Sequence, residues 1–158
     1  MLDDVTRGMF LATKAMDSTR PVLDTSGYAH RVPEADVYDS HDYDQNPTTF
    51  KARHAGLANG QPYFVSEFGG IWWSPAAKQG EDSWGYGERV KSLDEFYTRF
   101  EGLFDALLSD PLMFGYCYTQ LTDVYQEQNG IYTFDRQPKF DLERIRAIQQ
   151  RPAAIENR

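Results

Sequence analysis

A glutamate at the end of a short apolar run is the residue in this chain best placed to do chemistry. Glu67 follows Pro62-Tyr63-Phe64-Val65-Ser66 and precedes Phe68-Gly69-Gly70. The run reads as a buried strand, and the two glycines let the chain turn away directly behind it. A carboxylate held there can attack an electrophilic carbon. In a retaining glycosidase one ionised carboxylate attacks the anomeric carbon while a second carboxyl protonates the leaving oxygen. A strand-end glutamate in a surface ion pair is the plainer role, and position alone favours it.

Three further groups carry polar or aromatic side chains. His41-Asp42-Tyr43-Asp44 follows Asp36-Val37-Tyr38. There a tyrosine hydroxyl could orient a neighbouring carboxylate, and His41 and Asp42 could exchange hydrogen bonds with sugar hydroxyls. The same residues also suit a polar loop in which Asp44 caps a turn before Pro47. A metal set of Asp39, His41 and Asp42 is the weaker alternative. Tyr116 and Tyr118 share one strand face, with Cys117 opposite, read as inert core, and Gln120 and Asp123 beyond. Aromatic strands are more often core than sugar platform. Trp72, Trp73 and Trp84 either wall a sugar pocket or anchor a long loop. Asp135-Arg136-x-Pro138-Lys139 reads as a turn, an ion pair and a helix start.

These groups need elements to hold them. Periodicity predicts helices over 2–16, 48–58, 92–109 and 142–150, the third with a Ser92–Glu95 capping box. Short apolar runs predict strands at 21–24, 36–39, 62–65 and 112–118, and residues 71–91 form a long loop. Strands alternating with helices indicate a parallel sheet, whose sites lie beyond the strand C-termini. Four strands are half of a (β/α)₈ barrel, and a closed barrel needs about 250 residues.

Composition narrows the classes. The chain has 158 residues, 16 basic against 24 acidic, a net charge of -8, one cysteine and three histidines. That charge works against nucleic-acid binding, and no apolar run approaches a membrane span. The first residues lack a signal peptide's basic start and apolar run, so a cytoplasmic protein is expected. A single cysteine excludes an internal disulfide, and no zinc motif is present. Gly85-Tyr86-Gly87 lacks the spacing of a phosphate loop, and there is no Gly-x-Ser-x-Gly. No cofactor is expected.

Taken together, the motifs resemble glycoside hydrolase family 2, the β-galactosidase and β-glucuronidase group. Ser66-Glu67-Phe68-Gly69-Gly70 is similar to its nucleophile motif, on the seventh barrel strand. Thr19-Arg20-Pro21-Val22 with Asp24-Thr25-Ser26-Gly27 resembles the fifth strand, and Asp36-Val37 through Asp44 the sixth. Tyr118-Thr119-Gln120-Leu121-Thr122-Asp123-Val124 with Gln128-Asn129-Gly130-Ile131-Tyr132-Thr133 resembles the eighth strand and its exit. The resemblance runs from about Lys14 to Ile148. It implies the C-terminal half of a TIM barrel, strands five to eight, over residues 1–150, with a tail over 151–158.

The resemblance also implies roles. Glu67 becomes the nucleophile and Tyr43 its hydrogen-bond donor. Tyr118 occupies the place of a tryptophan that borders the sugar in many members. His41, Asp42, Trp72 and Asp123 become further substrate-binding candidates. Glucuronidases carry Asn-x-Lys where this chain has Glu127-Gln128-Asn129, which points to a neutral sugar, β-galactoside by default. The family's Asn-Glu acid/base pair occurs nowhere in the sequence. The expectation is therefore a glycosidase fragment, inactive or very weak alone, that self-associates or needs an N-terminal half of the barrel. A non-catalytic sugar-binding half barrel, an inactive remnant, and a split enzyme are the alternatives.

Overall fold

The computed structural model describes residues 3–54, 60–75 and 82–157. The expected run of the second helix to 58, Asn59 of its closing turn, positions 76–81 of the long loop and the first two residues lie outside the described residues. Among the described residues the order is α1 (Asp3–Met16), β1 (Tyr38–Asp42), α2 (Pro47–His54), β2 (Tyr63–Gly69), α3 (Leu93–Leu108), β3 (Met113–Thr119), α4 (Leu142–Gln149) and a 3₁₀ turn at Ala154–Asn157. The strands form one parallel sheet in the order β1-β2-β3. No helix among the described residues is long and apolar enough to cross a membrane.

The helix α3 covers one face of the sheet because its apolar side chains recur at helical spacing. Phe96, Phe100, Leu103, Phe104 and Leu107 are fully or almost fully buried, as are Tyr63, Val65, Phe68 and Met113 of the sheet. The Phe68 ring meets Phe104 edge-on at 5.2 Å. Ser92 caps the helix, its hydroxyl accepting the Glu95 N–H. The Glu95 carboxylate reaches back to the N–H of Lys91, one residue beyond a standard capping box. Asp141 caps α4 in the same way, accepting from Glu143 and Arg144.

Of four expected strands, three form among the described residues. The stretch 21–24 is irregular, and the reason is local. Pro21 has no N–H to donate. Val22 donates to the Asp36 carboxylate and accepts from the Asp36 N–H, so both its polar groups face a loop rather than a neighbouring strand. Asp24 draws the N–H groups of Arg31 and Val32 onto its own carboxylate. Cys117 is also placed differently from expectation. It is exposed, because Tyr116 and Tyr118 take the helix-facing side of β3 and leave it on the open face.

The β2 strand departs from a simple alternation at the point that matters. Ser40 pairs with Val65 and His41 with Glu67, leaving Ser66 as an extra residue; on the other edge Val65 pairs with Tyr116 and Phe68 with Tyr118. Strict alternation would send Val65 and Glu67 to the same side. The bulge restores Phe68 to the core and releases Glu67 to the open face.

The carboxylates that pin the 20–36 segment give it a pH dependence. The Lys14 ammonium, with the Val22 N–H, holds Asp36 below the ordinary 3.8. Burial pushes Asp24 up, but the N–H groups of Arg31 and Val32 outweigh it and the net shift is downward. Lowered folded values mean that the unfolded chain takes up protons first on acidification. The contribution is complete above the unfolded value and is lost as pH falls through the folded ones. Amide exchange should therefore accelerate at Val22 and Val32 at a higher pH than in α3. Simultaneous loss of protection in both regions would contradict this anchoring.

Candidate active site

Glu67 lies on the open face of the sheet, where one of its oxygens accepts a hydrogen bond from Tyr43 and stands close to the His41 imidazole. Tyr43 Oη donates to Oε2 at 2.5 Å, and His41 Nδ1 stands 3.2 Å from the same oxygen. No contact of this kind is made by Oε1 to the described residues. The register explains the meeting. His41 is the cross-strand partner of Glu67, and Tyr43 follows two residues later on the same side. Tyr43 Oη also lies 3.1 Å from Thr119 Oγ1 at the end of β3. The ends of all three strands thus converge on one carboxylate.

Several features fix Tyr43. Its ring stacks on Tyr86 with centroids 3.4 Å apart and planes within 7°. The Tyr86 N–H donates to the carbonyl of Gly70 at 2.8 Å, which lays residues 84–87 of the long loop against the turn behind Glu67. Gly70 permits this approach: at φ +60 a Cβ would stand 2.3 Å from the Tyr86 ring. Gln45 ties the same region together, donating to the carbonyls of Tyr43 and Gly69. Burial, and then the bond to Glu67, push the Tyr43 phenol well above its ordinary value. The phenol therefore keeps its proton and serves as a donor.

His41 and Tyr43 line an open cleft of about 890 Å³ that continues past Tyr28, Asp44 and Arg53. Glu67 lies across these two side chains and does not line the cleft itself. Asp42 lines the same cleft, where Arg53 bridges its carboxylate at 3.2 Å and that of Asp44 at 3.5 Å.

The other expected site residues are placed elsewhere. Tyr118 packs on Phe68, Phe100 and Phe104 in the core, and its hydroxyl accepts the Ile71 N–H at 3.3 Å. Asp123 is buried and pairs with Lys139 at 2.8 Å while accepting the Gly130 N–H. Burial draws the Lys139 ammonium below its ordinary value, against the pull of Asp123. This pair closes the loop after β3. Trp72 is half-buried under the Arg89 guanidinium at 5.8 Å, and its Nε1 has no hydrogen-bond partner among the described residues. None of these three contacts Glu67. Among the described residues no three His, Cys, Asp or Glu side chains gather as metal ligands.

Sequence reasoning gave Thr119 and Tyr86 no role at this site, and weighed Asp39 only as a metal ligand. Asp39 is fully buried, and its two oxygens accept the N–H groups of Gly27 and Ser66. For Tyr86 a signal was present in the flanking glycines, which admit Trp72 and Gln45 closely: a Cβ at Gly85 would meet Trp72 at 2.5 Å, and one at Gly87 would meet Gln45 at 2.4 Å.

With this geometry in view, the likeness to solved structures can be placed. No protein-family model matches the chain, and no curated protein matches it by sequence. Among solved structures it is similar to a β-D-glucuronidase of Dictyoglomus thermophilum (18% identity, TM-score 0.66), covering 96% of this chain and 29% of that one. A GH2 β-galacturonidase of Eisenbergiella tayi shows 14% identity and a TM-score of 0.66 over 94% of this chain and 30% of its own length. An exo-β-agarase shows 18% identity and a TM-score of 0.68, with 94% and 21% covered. The chain therefore has a glycoside-hydrolase-like α/β fold. It spans less than a third of the length of each of these neighbours.

The turn behind Glu67 supplies a test of the geometry. Gly69 has φ +81, and a Cβ there would stand 2.3 Å from the Tyr118 ring. Gly69→Ala should cost at least about 2 kcal/mol, from left-handed strain plus overpacking. Gly8→Ala, inside α1 with nothing within 4 Å, should stabilise by about 0.5–1 kcal/mol. Urea denaturation measures both. A Gly69→Ala chain as stable as the parent would refute the close packing of this turn.

Proposed function

We propose that this chain is the nucleophile-bearing part of a retaining β-glycosidase that acts on neutral sugars. In this reading its strands and the 20–24 segment correspond to strands five to eight of a (β/α)₈ barrel. Carbohydrate is the partner, and Glu67 Oε1 attacks the anomeric carbon. The observation that carries the reading is the Tyr43 hydrogen bond to Glu67 Oε2, with His41 Nδ1 3.2 Å from the same oxygen, which leaves the second oxygen to react. Such donors stabilise the carboxylate before attack and again when the glycosyl ester breaks. The glycoside-hydrolase-like fold is consistent with it.

The neutral-sugar assignment rests on charge. Glu127 accepts from Asn129 at 3.1 Å in the trio Glu127-Gln128-Asn129. Lys139, the cation that touches the Gln128 carbonyl, is committed to Asp123. A sugar carboxylate entering there would meet a negative group. Most of the structural neighbours are named for uronides, and the proposal parts from them on this point.

The general acid is taken to come from polypeptide other than this chain, since the sequence holds no Asn-Glu pair. General acid assistance contributes roughly 10²–10⁴-fold, so lactose should be turned over negligibly. A dinitrophenyl β-galactoside, whose leaving group needs no proton, should react best. Dinitrophenyl 2-deoxy-2-fluoro-β-galactoside should esterify the peptide containing Glu67, read by mass spectrometry, and Glu67→Gln should abolish the adduct. A label on any other carboxylate, or none, would overturn the assignment.

A further inference from the structure

Ser26, which sits in a turn, enters the sequence reading only within the fifth-strand resemblance, yet its hydroxyl oxygen is 3.0 Å from His41 Nε2. The other ring nitrogen faces Glu67 Oε2 at 3.2 Å. Hydroxyl, imidazole and carboxylate form one line. The turn is held to the sheet by Gly27, whose N–H donates to buried Asp39 at 2.7 Å and whose carbonyl accepts the His41 N–H at 3.4 Å. Asp39 in turn accepts the Ser66 N–H beside Glu67. At φ +78 a Cβ on Gly27 would stand 2.3 Å from the imidazole carbons, so the ring packs directly on bare backbone. Tyr28 meets the same ring edge-on at 4.9 Å.

Hydrogen-bond chemistry decides what this line does. An ionised carboxylate only accepts, so Nδ1 must carry the hydrogen that faces Glu67. A neutral imidazole then has a lone pair on Nε2, which needs a donor. We infer that Ser26 is a positioning residue: its hydroxyl donates to Nε2, locks the Nδ1–H tautomer of His41, and so keeps the second donor on Glu67. This rests on Glu67 as the reacting carboxylate. The same three side chains have the order of a Ser-His-acid triad. Acyl transfer, however, needs free N–H groups for an oxyanion. The two next to the hydroxyl are engaged, Gly27 with Asp39 and Tyr28 with the Ser26 carbonyl.

Imidazole ¹⁵N NMR of the whole chain at about pH 8.5, above the ordinary histidine range, tests the lock, with signals assigned by their loss in His41→Gln. The proton should reside on Nδ1 in the parent. Ser26→Ala should give a mixture of tautomers and slow esterification of Glu67 by the fluoroglycoside about tenfold. Ser26→Thr, which keeps a hydroxyl, should restore both. A proton on Nε2 in the parent, a Ser26→Ala chain unchanged in either readout, or modification of Ser26 by a fluorophosphonate would overturn the inference. If the parent chain is never esterified at Glu67, the glycosidase reading fails, and the tautomer spectra still decide the role of Ser26.

Discussion

A tyrosine hydroxyl and an imidazole gathered on one carboxylate oxygen organise this molecule. A hydrogen bond to an ionised group is stronger than one between neutral groups, contributing about 1.5–3 kcal/mol. It also demands that donor and acceptor be held at contact distance by separate pieces of chain. Here Tyr43 and His41 come from the end of β1 and Glu67 from the end of β2. The bulge at Ser66 supplies the third requirement, because without it Glu67 would share a face with Val65. Buried Asp39 braces the arrangement from behind by holding the Ser26–Gly27 turn and the bulge at once.

Large side chains on one face of the sheet and small or absent ones at its end divide the labour. The aromatic layer between α3 and the sheet provides apolar burial, and it claims Phe68 and Tyr118 for packing. The glycines at 69 and 70 lie where the backbone must bend across those rings, and their positive φ angles let Tyr118 and Tyr86 approach. The cleft beside β1 is correspondingly open, bounded by His41, Tyr43 and the Arg53 bridge.

Much of this was legible in the residue order, and the exceptions have physical causes. Helical spacing placed α1, α3 and α4 almost to the residue, and in α3 a wide apolar face leaves little choice. The stretch 21–24 has the apolar content of a strand, but Pro21 and the side chains of Asp24 and Asp36 draw the backbone hydrogen bonds into a loop. Cys117 is exposed because its tyrosine neighbours win the buried side. The motif order drew attention to Glu67, His41 and Tyr43, which lie together. Tyr118 and Asp123 carry the same kinds of groups but are spent on core packing and an internal ion pair. The roles of Thr119 beside Tyr43, and of Asp39 as a brace rather than a metal ligand, arise only when strands are laid side by side.

A crystal structure of the chain after reaction with the fluoroglycoside would probe the core of this account most directly. The account predicts an ester between the sugar carbon and Glu67 Oε1, with Tyr43 Oη and His41 Nδ1 still on Oε2. A sugar attached through Oε2, or a Glu67 side chain swung into solvent away from Tyr43, would contradict it.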